Sequence, residues 1–237
     1  MIQRSTRRVP KIVIGLLMLS LGIQIVWHQN TSPPSTQIQT LIKPPELEFL
    51  RFFSLGDPIV SAKILMLWLQ AYDSQAGQIV SYQKLNYNAL QQWLAQILLL
   101  DPKSQYPLLA ASHFYSMISD PLKKRQMLEF VYQQFFIDPA TRWRWLAHAT
   151  ILAKHRLKDL SLALKYAEAI AAHATPDMPY WAQEMRLFIL EDMGELERVR
   201  LIIGGMLANG QITTPNEIEF LNEKLLTLEK KSDKKRD

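Results

Sequence analysis

The stretches DPKSQY (101–106), DPATRW (138–143) and TPDMPY (175–180) decide the fold. Each joins a capping residue to a proline, and the prolines Pro102, Pro139 and Pro176 stand 37 residues apart. Four residues after each comes an aromatic: Tyr106, Trp143 and Tyr180. Asp and Thr side chains accept hydrogen bonds from the unpaired N–H groups of a helix start. Proline suits the first helical position, where its missing N–H costs nothing. Asp57-Pro58, Asp120-Pro121 and Thr214-Pro215 repeat the device. Each pair reads as a helix start, and a fixed period in the thirties built from helix starts reads as a stacked array of helix pairs.

Working outward, the periodic segments are rich in Ala, Leu, Gln, Lys and Glu, which favours helix over sheet. The pattern predicts helices near 46–55, 58–75, 88–100, 103–118, 121–137, 140–155, 158–173, 177–192, 195–208 and 215–230. Short breaks make consecutive helices antiparallel neighbours; the interruption at 77–87 is longer. Stepping by 37 aligns Leu90, Met127, Leu164 and Leu201, then Phe114, Ile151 and Phe188, then Tyr115, Leu152 and Ile189. Ala110 and Ala147 align as small residues, and Glu184 breaks their column. Trp93, Phe130, Ala167 and Gly204 shrink along another. One helix pair cannot bury both its apolar faces alone, so stacking completes the core.

KDLSLALKYAEAIAAHATP (158–176), with small Ala163 and Ala167, the Leu-Asp-Pro at 100–102, the Ile-Asp-Pro at 137–139 and the turn Met193-Gly194-Glu195 resemble the tetratricopeptide-repeat (TPR) family. The resemblance covers about 86–210. The period exceeds the family's 34 residues, and no unit keeps an intact Trp-x-x-Leu-Gly signature. The anchor described next, FFSLGD (52–57) and KHRLKDLSLAL (154–164) are similar to a group of membrane-anchored bacterial TPR-like proteins, a likeness that implies no activity. It implies an all-α fold: a TPR-like antiparallel helix-pair solenoid behind one N-terminal transmembrane helix.

IVIGLLMLSLGIQIVW (12–27) carries no charge. It is a little short of the ~20 residues that cross a bilayer, and thinning or snorkelling flanks can make up the difference. Arg4, Arg7, Arg8 and Lys11 all precede it, so the positive-inside tendency keeps the N-terminus cytoplasmic and places the rest on the extracytoplasmic, periplasmic side. A cleaved signal needs a small-residue cleavage site, and none that is convincing follows. The expected organisation is a basic tail (1–11), a signal anchor (12–28), a Pro/Ser-rich linker (29–45), the helical domain (46–230) and a charged disordered tail (231–237). The net charge of +5 arises from the two ends; between Ile12 and Leu228 there are 18 basic and 19 acidic side chains. That balance argues against nucleic acid as a partner. With no cysteine, disulfides, thiolate catalysis and Cys-based zinc sites are excluded.

Chemistry is sparse. His148 and His155 share a helix face but have no carboxylate at ligand spacing, so metal is not expected, nor is any other cofactor. Gly204-Gly205 lies within a helical stretch and suits close packing or a kink. Two segments stand out as partner-binding. Arg142-Trp143-Arg144-Trp145 opens a helix, and Trp and Arg are the residues most enriched at binding hot spots. Trp143 aligns with Tyr106 and Tyr180 and reads as repeat core. Trp145 has no aromatic counterpart and, with Arg142 and Arg144, is the better surface candidate. Lys154, His155, Arg156 and Lys158 end a helix, where cations complement the dipole or receive an acidic peptide or a terminal carboxylate.

The expectation is a membrane-anchored protein-binding or assembly scaffold, not an enzyme. The alternative is an envelope-polymer enzyme or accessory domain using the acidic cluster around Glu191 and Asp192, since paired carboxylates can act as acid and base.

Overall fold

A computed structural model describes residues 10–30, 41–72, 74–75, 78–79, 82–210 and 214–233. The described residues fall into two units. One contains helix α1 (Lys11–Asn30) and a two-residue β-ladder, β1 (Ser74–Gln75) against β2 (Gln78–Ile79). α1 is longer than the expected anchor and takes in the first residues assigned to the linker. Its 20 residues rise about 30 Å, and it is long and apolar enough to cross a membrane. The rest of the expected linker to residue 40 lies outside the described residues.

The second unit is helical. It consists of α2 (Leu47–Phe53), α3 (Pro58–Ala71), a 3₁₀ turn (Tyr82–Lys84), α4 (Tyr87–Leu100), α5 (Tyr106–Leu109, continued as a π-helix to Tyr115), α6 (Pro121–Phe135), α7 (Pro139–Leu152, with a π-helical end to Leu157), α8 (Leu160–Ala172), α9 (Tyr180–Gln183), α10 (Met185–Asp192), α11 (Leu196–Ala208) and α12 (Pro215–Asp233). Packing begins before the expected boundary at Glu46: Leu41 is buried, and Trp93 Nε1 donates to the Ile42 carbonyl at 2.8 Å. At the other end α12 runs to Asp233, three residues into the tail expected to be disordered; 234–237 lie outside the described residues.

Four of the six capping-proline pairs start helices: Pro58, Pro121, Pro139 and Pro215. Asp57 accepts from Val60 N–H, and Asp120 from Leu122 and Lys123 N–H. Pro102 and Pro176 instead sit in turns, and their helices begin at Tyr106 and Tyr180. The cause is a second proline. In a helix begun at 103, the Pro107 ring would strike the carbonyl four residues back. Pro179 would do the same to Thr175, whose carbonyl accepts from Met178 N–H instead. DPATRW has no second proline, and α7 starts at once.

Links between residues 34 to 38 apart tie next-but-one helices into two layers. Tyr132 stacks on Tyr166 at 5.1 Å, Gln91 donates to the Gln126 carbonyl, Lys165 meets Glu129 at 3.0 Å and Arg125 pairs with Asp159, joining α4, α6 and α8. His113 stacks on His148, Trp143 meets Trp181 and Lys154 pairs with Asp192, joining α5, α7, α9 and α10. Leu90, Met127 and Leu164 are buried, but Leu201 of the same column is 80% exposed. α11 is the last helix of its layer among the described residues, and it buries Val199, Ile203 and Met206 instead. Gly204 and Gly205 are exposed, and a Cβ at either meets nothing within 4 Å, so they serve no close packing.

Candidate functional site

The exposed face of the α5–α7–α10 layer is the candidate site. On α7 the spacing Thr141, Trp145, His148, Ile151, His155 forms one stripe, and every member is half-buried or exposed. The opposite stripe, with Trp143, Leu146, Ala147 and Thr150, is buried. Gln105 at the start of α5 takes a hydrogen bond from Trp145 Nε1 at 2.7 Å and lies 3.4 Å from the Thr141 hydroxyl. His113 and His148 stack at 4.3 Å further along the same two helices. Burial and the neighbouring His113 hold the His148 imidazole below the usual histidine range, and its Nδ1 is buried without a hydrogen-bond partner.

The 37-residue column Phe114, Ile151, Phe188 runs across this layer and is 41%, 44% and 41% exposed. The adjacent column Tyr115, Leu152, Ile189 is buried throughout. Neighbouring columns of equal apolarity thus divide into one that builds the core and one that stays half open. Sequence alignment found both columns; nothing in it separated them.

The expected partner-binding residues scatter. Arg142 is 2% exposed and is corrected from surface to core: it donates to the Gln134 carbonyl at 2.9 Å, Gln134 Oε1 at 3.1 Å and the Pro102 carbonyl at 3.0 Å. It staples the 101–104 turn to the end of α6, and burial lowers its pKa. Arg144 is exposed and lies 5.4 Å over the Trp143 ring. Trp145 lies on the stripe but is half-covered, with its N–H engaged by Gln105. Lys154 is paired with Asp192. His155, Arg156 and Lys158 are exposed around a left-handed C-cap at Lys158, where Asp159 N–H returns to the Ala153 carbonyl. That closure is a Schellman-type end.

The acidic cluster does not assemble as a carboxylate pair. Glu191 faces Lys224 at 2.8 Å, Asp192 faces Lys154 and Glu197 faces Arg200 at 3.2 Å. Gly194, at φ +78°, makes the helix–helix turn among them. Among the described residues no group of three or more His, Asp or Glu could hold a metal ion. Comparison with family models, curated proteins and solved structures finds no match.

Proposed function

We propose that this protein is a membrane-tethered scaffold that binds a protein segment along the α5–α7–α10 face of a TPR-like array, without catalysis. The observation that carries this is the half-open column Phe114, Ile151, Phe188 beside its fully buried neighbour. Three successive helices leave an apolar side chain at the same repeat position partly in water. Such a column suits a surface completed by an extended occupant, the kind of surface repeat arrays provide. Arg144 and Arg156, both exposed, add cations on α7, which favours an acidic or carboxyl-terminal segment. α1 acts as the tether, and the basic cluster before it favours a cytoplasmic N-terminus with the array on the far side. The enzyme alternative would need Glu191 and Asp192 released from Lys224 and Lys154.

In-cell crosslinking, detergent extraction, affinity capture and mass spectrometry test the reading. The full chain is compared with Ile151→Glu and with Leu122→Glu, an exposed leucine on α6. A discrete partner kept by Leu122→Glu and lost on the order of tenfold by Ile151→Glu is expected, since one desolvated anchor is worth about that much. Equal capture by all three would overturn the choice of face. An intact membrane-bound chain that enriches no partner would overturn the scaffold reading.

A further inference from the structure

α2 and α3 form an apolar elbow, bent by 107° at the turn Ser54–Gly56. α2 buries only Leu50, while Phe49, Phe52 and Phe53 are exposed and packed on one another, with the Phe49 and Phe53 centroids 4.4 Å apart. α3 buries Ala62, Met66 and Leu69, and its Trp68 touches Trp93 of α4 at 4.9 Å. Its other stripe, Val60, Ile64 and Leu67, is exposed. A helix apolar on both faces wants two neighbours, and α3 is covered on one side. At the tip, Leu55 is 95% exposed and holds φ +49°. That is a backbone region non-glycine residues avoid, so the tip combines two disfavoured features in one residue. Leu122 and Leu201, by contrast, are single exposed leucines of the ordinary kind.

We propose that the elbow docks into the interfacial layer of the bilayer that α1 crosses, seating Phe49, Phe52, Phe53 and Leu55 among the acyl-chain ends. The proposal rests on the reading of α1 as a membrane span. Three observations name lipid as the occupant. Residues 31–46 cap the distance from the end of α1 to the elbow at about 60 Å when fully stretched. The bilayer is therefore presented at high effective concentration, and weak affinity suffices. α2 and α3 counted together are apolar enough to enter a membrane. Because the second stripe of α3 is packed on α4, the pair lies on the membrane rather than crossing it, the mode of interfacial helices. The exposed charges on the elbow are Glu48, Arg51, Asp57 and Lys63; Glu48 lies 3.9 Å from Arg51, the Asp57 carboxylate caps α3, and the Lys63 stem can snorkel to the headgroups.

The absence of cysteine makes single-site labelling clean. Full-length Leu55→Cys, Phe52→Cys, Ile23→Cys and Leu201→Cys chains, each carrying an environment-sensitive fluorophore, are reconstituted in phosphatidylcholine–phosphatidylglycerol vesicles. The Leu55 and Phe52 labels should be blue-shifted, quenched by doxyl-labelled lipid and shielded severalfold from iodide relative to Leu201. Labels at 55 and 52 as open to iodide as 201, with Ile23 shielded, would overturn the elbow and leave the span standing. An open Ile23 label would remove the span and the elbow with it. Labels shielded from iodide yet untouched by doxyl lipid would mean a protein occupant, such as a second copy of the chain, and would also overturn the proposal.

Discussion

His113 of α5 and His148 of α7 stack with ring centroids 4.3 Å apart and planes 21° from parallel. Burial first and the His113 charge second lower the His148 pKa. A lowered histidine pKa means the native chain binds fewer protons than the unfolded one. Its contribution is therefore complete above the ordinary histidine value of about 6.5 and is lost as pH falls through that range. The melting temperature of the full chain should drop between pH 7.5 and pH 5, and His148→Gln should drop less. Parallel curves for the two chains would show that the stack carries none of the acid sensitivity.

Glu184 works in the other direction. It occupies the column held by Ala110 and Ala147, is buried, and leaves Oε2 without a hydrogen-bond partner. Burial raises its pKa, which the nearby Arg186 only partly offsets. For a raised carboxyl the native chain binds the extra proton, so stability is greatest at low pH and is lost as pH rises through the folded-state value. Glu184→Gln should raise the melting temperature at pH 8 more than at pH 5. A buried unsatisfied acceptor costs about 1–3 kcal/mol, and 1 kcal/mol is worth roughly 2–4 °C in a chain of this size. A variant equally or less stable than its parent at pH 8 would refute this.

Arg142 and Arg144 look alike in sequence and should behave as opposites. Arg142→Ala removes three hydrogen bonds and takes the guanidinium donor from the Pro102 carbonyl, while the Gln134 carbonyl keeps backbone N–H donors at the end of α6. Hydrogen bonds to charged groups are worth about 1.5–3 kcal/mol each before non-additivity, so a loss of about 2–4 kcal/mol is expected. Arg144→Ala should change stability by less than about 0.5 kcal/mol, as exposed sites do, while weakening capture of the partner. Urea midpoints for the two variants decide the matter, and a similar shift in both would contradict the assignment.

How far these features were legible in the sequence depended on whether local chemistry determined them. Helix positions followed from capping and apolar spacing, and the turn at Gly194 was expected from the TPR resemblance; its φ of +78° gives the physical reason for glycine there. The starts at Tyr106 and Tyr180 depart from the expected ones because capping residue and first proline describe only a local start, whereas Pro107 and Pro179 act on carbonyls four residues back. Arg142 could not be placed from sequence: its burial depends on carbonyls 8 and 40 residues away. For the same reason the columns of Phe114 and Tyr115 looked equivalent. Spacing says which residues share a repeat position, while only the crossing of neighbouring helices says which position is left open.

Trp145 yields the last prediction. Read as a free aromatic, it should be replaceable by alanine with almost no change in melting temperature. The bond from its Nε1 to Gln105 Oε1, 2.7 Å and joining α7 to the turn before α5, says otherwise. Trp145→Ala should cost about 1–2 kcal/mol from the lost bond and half-buried ring together. Gln105→Ala should cost about 1 kcal/mol, and the double variant should fall short of the sum by about 0.5–1.5 kcal/mol, the coupling of residues in contact. A double variant that merely adds would mean that the two side chains do not hold the helices together, and Trp145 would return to being a surface residue available to a partner.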